Sequence, residues 1–350
     1  MKILVTGGAG YLGSVLVPKL LVRGHQVRVL DIGYFGLGHL RGLRPGVEII
    51  RDDLRRIMTD GDFRRELLEG CDCILHLAAI SNDPSAELRP ELTEEVNFQT
   101  TMCLAEAAKR AGIRFVFSSS CSVYGEAEGE LTEESAVNPL TVYAISKVKS
   151  DNGLMQLADR NWRPVILRNG TLFGYSPRMR FDLVVNIFSL YSTLYNEIRI
   201  FGNGLQWRPF LSVQDCARAF LYFAEREEPS QICFNIAAEN LRVVDVAALF
   251  GNLNPKLQVQ YVPQNDPDLR DYRVSGARMR AEGFQPRIDV ATSAEQMSEA
   301  IVSGQIPDPE SIFYRNAKWL GELTHIGARD HRQIVDLMES FSLIHKVATA

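Results

Sequence analysis

Two short stretches carry side chains that together could oxidise an alcohol: Ser118-Ser119-Ser120-Cys121-Ser122-Val123-Tyr124-Gly125 and Tyr143-Ala144-Ile145-Ser146-Lys147. A Tyr and a Lys four apart on a helix lie on one face, one turn apart, so the ammonium can sit beside the ring. A free tyrosine titrates near pH ~10 and is a poor base at neutrality, but a nearby positive charge favours the phenolate. Tyr143 could then take the proton of a hydroxyl group while Ser120 holds the same oxygen. An isolated YxxxK is common. Its weight here comes from the hydroxyl-rich turn, which comes after the apolar run from Arg114 to Phe117 as the C-terminal mouth of a buried strand would. Open α/β sheets bind ligands at that edge.

An oxidation needs an electron acceptor, and the start of the chain supplies a place for one. Ile3-Leu4-Val5 reads as a short buried strand, and Thr6-Gly7-Gly8-Ala9-Gly10-Tyr11-Leu12-Gly13 opens a helix running on through Val17, Leu20 and Leu21. Two threadings fit: Gly8, Gly10 and Gly13 as GxGxxG, or Gly7, Gly10 and Gly13 as GxxGxxG. Both put a pyrophosphate at the same helix N-terminus, whose unpaired N–H groups attract an anion. A second strand, Gln26 to Leu30, ends in Asp31, and a carboxylate there accepts hydrogen bonds from an adenosine ribose and repels a 2′-phosphate. The adjoining Ile32-Gly33-Tyr34-Phe35-Gly36 has no basic side chain to pair with such a phosphate, so NAD is expected rather than NADP.

These residues need a scaffold, and the pattern predicts one. Strands are expected near 2–6, 26–31, 47–51, 72–77, 113–118 and 162–168, with helices between several of them. Such alternation implies an α/β fold with a Rossmann-type doubly wound parallel sheet covered on both faces. At 350 residues the chain exceeds one such unit, so a smaller, interwoven C-terminal lobe for substrate is expected. The expected division is 1–174 for the NAD-binding domain, with returning segments at about 207–240, and 175–206 with 241–325 for the second lobe. From about 305 the chain lies outside every motif and is given no role, with helices expected around Trp319 and from Ile334 to Phe341, the last stretch, 326–350, being a C-terminal helical tail. Within the second part, 182–193 and 243–253 read as helices, and 209–213 and 232–236 as strands.

The joint occurrence of TGxxGxxG, SSSxxVYG and YxxxK resembles the extended short-chain dehydrogenase/reductases, within them the nucleotide-sugar epimerase/dehydratase group, over residues 1 to about 320. The resemblance implies catalytic roles for Ser120, Tyr143 and Lys147, with Lys147 anchoring the nicotinamide ribose and keeping the phenol acidic. It implies that Tyr11 and Leu12 line the pyrophosphate, that Asp53 and Leu54 hold the adenine, and that Leu77, Ala78 and Ala79 pass behind the cofactor. Asn97 and Gly170 would lie near the nicotinamide half. Asn186, Arg208 and Arg270 are expected near the nucleotide diphosphate of the substrate, where a guanidinium fork suits phosphate oxygens. Ser81, Cys121, Asn169 and Thr171 complete the expected substrate contacts. Family members often carry Asn where this chain has Thr171, and Asn169 could substitute from two residues upstream.

The residues after Ser120 bear on the fate of the oxidised sugar. Dehydratases that resemble this chain place Asp-Glu there, decarboxylases place Glu at the second position, and C3/C5 epimerases place Cys at the second; here stand Cys121 and Ser122. With no further acid or base evident, the simplest expected outcome is C4 epimerisation of a nucleotide-diphosphate hexose through a transient 4-keto sugar. The alternatives are an NAD-dependent sugar dehydrogenase or reductase, a dehydratase with its acid and base elsewhere, and an NAD-binding regulator that uses the fold without turnover.

Charged residues are 23% of the chain, the net charge is −5 and no Lys/Arg block stands out, so no nucleic-acid partner is expected. No apolar run suggests a membrane span and no signal peptide is apparent, so a cytoplasmic protein is expected. Six cysteines are scattered, and Cys71 and Cys73 alternate in an apolar strand as core filler would, so no metal site is expected. The family resemblance implies a homodimer joined through the helix near 98–111 and the helix that carries Tyr143.

Overall fold

The computed structural model describes residues 1–43, 45–226, 228–263 and 269–325. The helix expected from Ile334 to Phe341, and the tail at 326–350, lie outside the described residues. The strands are β1 (Lys2–Thr6), β2 (Gln26–Asp31), β3 (Val47–Arg51), β4 (Cys73–His76), β5 (Arg114–Ser120), β6 (Glu126–Leu131) and β7 (Val165–Asn169). They continue as β8 (Thr171–Phe173), β9 (Glu197–Phe201), β10 (Trp207–Ser212), β11 (Cys233–Ile236), β12 (Glu239–Arg242), β13 (Gln258–Val262) and β14 (Asp271–Val274).

Among the described residues the central sheet has seven strands in the order β11-β7-β5-β4-β1-β2-β3. Every neighbouring pair in it is parallel. That is the expected doubly wound arrangement. The chain leaves β1 for β2 and β3 on one side and returns to β4 on the other, so the topological switch falls between β1 and β4. A crevice opens there at the carboxyl ends. Being covered on both faces, the strands read as apolar runs: Ile3, Leu4 and Val5 in β1 and Cys73, Ile74 and Leu75 in β4 are fully buried.

Beside the central sheet a separate apolar cluster gathers Val185 and Phe188 on the helix Val184–Tyr195, Val246 and Phe250 on the helix Val243–Leu253, Val290 and Ala294 on the helix Val290–Val302, and Phe173 and Phe210 of β8 and β10. Ile198 and Ile200 of β9 join it. Three smaller ladders escape the sequence reading: β9 with β13, β6 with β14, and β8-β10-β12. In β6 the alternation of Glu126, Glu128 and Glu130 with Ala127, Gly129 and Leu131 is too weakly apolar to announce a strand. Its partner β14 lies far along the chain, beyond the reach of local pattern. The helix expected near 98–111 begins earlier: a helical run starts at Pro90, passes through a π turn at Glu95–Gln99 and continues as Thr100–Ala111.

Candidate active site

The glycine turn between β1 and its helix is shaped by close approach. Gly7 has φ +71°, and a Cβ there would stand 2.7 Å from the Ala78 amide nitrogen just beyond β4. A Cβ on Gly13 would stand 2.5 Å from the Gly8 carbonyl oxygen. Helix Gly13–Val22 has no side-chain cap. Ser14 N–H donates to the Gly10 carbonyl at 2.9 Å and Val15 N–H to the Leu12 carbonyl at 3.1 Å, and the positive end of the helix borders the crevice at Tyr11, Leu12 and Gly13. Asp31, at the end of β2, accepts from Ala9 N–H at 2.9 Å with one carboxylate oxygen and from Gly33 N–H at 2.8 Å with the other. Each oxygen keeps acceptor capacity for a hydroxyl. Burial raises the Asp31 carboxyl above its ordinary range, against the two backbone donors and the charge of Arg178.

These residues line one end of a cavity of about 740 Å³. Ala78 and Ala79, Asp53 and Leu54, and Gly170 line it as expected. At its other end stand Ser120 and Tyr143, with Ser81, Asn169, Thr171 and Arg270. One continuous cavity therefore joins a dinucleotide cradle to a hydroxyl-binding tyrosine. The uncapped helix end, the carboxylate at the ribose position and the glycine close to β4 fit a dinucleotide. Asp31 and Asp53 would hold its adenosine half and the turn at residues 10–13 its pyrophosphate.

The catalytic helix Val142–Leu157 is capped by Thr141, whose Oγ1 accepts from Ala144 N–H at 3.1 Å while its hydroxyl donates to Asp83 at 2.5 Å. A buried ion pair pins the same helix to the sheet, with Arg168 of β7 donating to Asp151 at 2.9 Å. The Tyr124 hydroxyl accepts from Arg168 at 2.9 Å and donates to Asn235 at 2.8 Å. Breaking such a pair strands a charge in the interior, which makes it a firm anchor for orientation.

Burial and the nearby Asp83 carboxylate push the Tyr143 phenol up to about 12, while a hydrogen bond with Ser120 and the charges of Arg180 and Arg270 act to lower it. Lys147 lies one helical turn beyond Tyr143. Its ammonium is buried, donates to the Ser118 carbonyl at 2.7 Å and lies 5.7 Å from the Tyr143 ring centroid. Burial lowers it to about 8. The charges of Arg180 and Arg270 also favour the phenolate.

Four expected contacts, Asn97, Cys121, Asn186 and Arg208, are absent from the cavity lining. Asn97, in the π turn, braces the cavity wall from behind: it accepts from Ile80 N–H at 2.8 Å and donates to the Ile80 carbonyl at 3.1 Å and to Ser146 at 3.1 Å. Cys121 is fully buried, its thiol donating to the Arg168 carbonyl at 3.1 Å, and burial raises it above the ordinary thiol range. Asn186 is also fully buried, where it accepts from Gly174 N–H at 2.9 Å and donates to the Tyr11 hydroxyl at 3.0 Å. The Tyr11 phenol in turn donates to the Gly174 carbonyl at 2.5 Å. The Tyr11 side chain thus ties the glycine turn to Gly174, and Tyr11 lines the cavity as expected. Arg208 donates to the Trp207 carbonyl at 2.8 Å and to the Arg270 carbonyl, so it supports the strand that presents Arg270.

Sequence reasoning missed Arg178, Arg180, Asp182 and Asp83. Arg180 lines the cavity and forms a two-pronged pair with Asp182 at 3.0 and 2.9 Å, and Asn82 donates to Asp182 at 2.6 Å. Asp83 accepts from Arg270 at 2.5 Å. The signal was present in Arg178-Met179-Arg180 just after Gly174, where alternate positions of an extended segment share a face. No single local motif marks them as site residues.

The model of the NAD dependent epimerase/dehydratase family matches residues 3–237. The chain belongs to that family. It is 32% identical over 307 residues to a UDP-glucose 4-epimerase of Mycolicibacterium smegmatis, covering 83% of this chain and 95% of that one. It is 31% identical over 268 residues to a Bacillus subtilis protein described as an uncharacterized UDP-glucose epimerase, covering 73% and 82%. Among solved structures, the UDP-glucose 4-epimerase of Thermus thermophilus in complex with NAD superposes with a TM-score of 0.74 at 26% identity, covering 86% of this chain and 100% of that one.

Proposed function

We propose that this protein epimerises a UDP-hexose at C4 with NAD as its bound cofactor. The observation that carries the reading is the absence of a disengaged acid or base beside Tyr143 among the described residues. Cys121 is buried against a backbone carbonyl, and Ser122 is no titratable group. Asp83, the carboxylate that acts on Tyr143, has one oxygen engaged by Thr141 and the other by Arg270. Elimination or decarboxylation chemistry needs a further proton carrier, and among the described residues Tyr143 is the disengaged one beside Ser120.

The chain's own residues handle the proton and hold the sugar. Ser120 holds the C4 hydroxyl by a hydrogen bond, and Tyr143 takes its proton and later returns one to the same oxygen. Arg180 and Arg270 keep the phenol within reach of deprotonation, and Lys147 stays fixed behind the ring by the Ser118 carbonyl. NAD, when bound, supplies the site that accepts hydride from C4 and hands it back to the opposite face after the keto sugar turns. The named relatives are described as UDP-glucose epimerases, which supports the nucleotide.

The proposal includes a homodimer through the helices Thr100–Ala111 and Val142–Leu157, in keeping with the exposed Ile145 and Met155 on the second of them. It includes a cytoplasmic location, in keeping with six cysteines that are all unpaired thiols. Among the described residues no helix is long and apolar enough to cross a membrane. No nucleic-acid partner is proposed.

The test is incubation of purified protein with UDP-, GDP-, CDP- and dTDP-hexoses, with and without added NAD, with products identified by NMR. A C4 epimer of a UDP-sugar formed without added cofactor supports the reading. A keto or unsaturated product overturns it.

A further inference from the structure

The expectation from sequence leaves the segment after residue 305 without a role. In the structure it returns to the cofactor cavity. The Phe181 amide donates to the Tyr314 carbonyl at 2.7 Å and their rings meet edge to face at 5.7 Å. The helix Asn316–His325 comes next. Asn316, Leu320 and Leu323, at spacings of four and three, share one face of it, and all three line the cavity. Trp319 packs on Phe313 with ring centroids 4.1 Å apart and donates to the Tyr34 carbonyl at 2.8 Å. Tyr34 and Phe35 lie just after β2 and line the same cavity beside Asp31. The helix is thus fastened to the segment after β2.

Arg178 bridges the two lobes at this point. Its guanidinium lies 3.7 Å over the Phe35 ring and donates to Asn316 Oδ1 at 2.5 Å. Asn316 also donates to Ser81 at 3.4 Å. The Arg178 Nε is buried and has no hydrogen-bond partner in the protein. A buried donor left unsatisfied is costly, so a ligand acceptor beside it is favoured.

We propose that the helix Asn316–His325 is a wall of the dinucleotide site, closing the adenosine half with the face of Asn316, Leu320 and Leu323 and with Arg178 held between Asn316 and Phe35. The inference rests on the cavity being the NAD site. A clasp on the adenosine half slows cofactor loss, which suits a reaction that leaves the cofactor in its starting redox state after each turnover.

The test compares Asn316→Ala and Leu320→Ala with the native full-length chain by calorimetric titration of ADP-ribose, which lacks the nicotinamide, and of UDP. Thermal melts check that each variant is folded. ADP-ribose binding should weaken about tenfold in Asn316→Ala, the scale of a lost hydrogen bond to a charged group, with a smaller loss in Leu320→Ala and UDP affinity unchanged in both. Unchanged ADP-ribose affinity in both folded variants, or equal weakening of UDP, overturns the role of the helix. A native protein with no affinity for ADP-ribose overturns the cofactor reading and this inference with it.

Discussion

The two ends of the cavity are built in different ways. The cofactor end is local: a strand, a glycine turn and a helix within residues 2–22, then one carboxylate at the end of the next strand. The catalytic end gathers Ser120 from β5, Tyr143 from a capped helix, Arg180 from the segment after β8 and Arg270 from just before β14. Parallel strands force the first arrangement, because consecutive βα units deliver their carboxyl ends to one edge. Nothing local forces the second. Its charges meet only because the second lobe folds back across that edge, so its electrostatics belong to the tertiary structure.

This difference explains why some residues could be read in advance and others could not. Gly7, Gly13 and Asp31 are legible because a tight turn and a ribose acceptor each demand a residue type at a fixed offset. Tyr143 and Lys147 are legible as a pair on one helical face, but their environment is not. Arg180 and Arg270, whose charges also favour the phenolate, lie 37 and 127 residues further on than Tyr143 in the chain. Asn186 and Arg208 are polar groups whose partners are other protein groups, and a sequence does not distinguish a ligand contact from a satisfied buried bond. The β6–β14 ladder was hidden by its charge and by sequence distance. The C-terminal helix carries no motif, and its place at the cavity is set by Trp319 and Asn316 meeting Tyr34 and Arg178.

Breaking the catalytic end should cost most. Tyr143→Phe keeps the ring and removes the proton acceptor, so turnover should fall by about two to four orders of magnitude while calorimetry finds NAD binding retained. Near-native turnover would assign the base elsewhere.

The cofactor end should respond in binding and selectivity. Asp31→Ala removes an acceptor for the ribose hydroxyls and leaves Arg178, whose charge acts on that carboxylate, to face a 2′-phosphate. The preference for NAD over NADP should narrow by about ten- to a hundredfold, the range for hydrogen bonds to a charged group. An unchanged ratio in competitive titrations would remove Asp31 from the ribose site.

The smallest effect separates the two ends most sharply. Arg180 favours the phenolate of Tyr143, so Arg180→Met raises the phenol's pKa and should move the rising limb of the kcat–pH profile to higher pH by about one unit. Asp83 disfavours the phenolate, so Asp83→Asn should move the same limb to lower pH. Identical profiles in both variants would mean that the second lobe does not tune the base.

The central claim is that oxidation at C4 is succeeded only by return of the same hydrogen. UDP-glucose carrying deuterium at C4, turned over in ordinary water and analysed by NMR, should give the C4 epimer with its deuterium still at C4. The unlabelled sugar turned over in heavy water should take up no deuterium at C5 or C6. Deuterium entering C5, label migrating from C4 to C6, or label lost to free NADH would contradict the account.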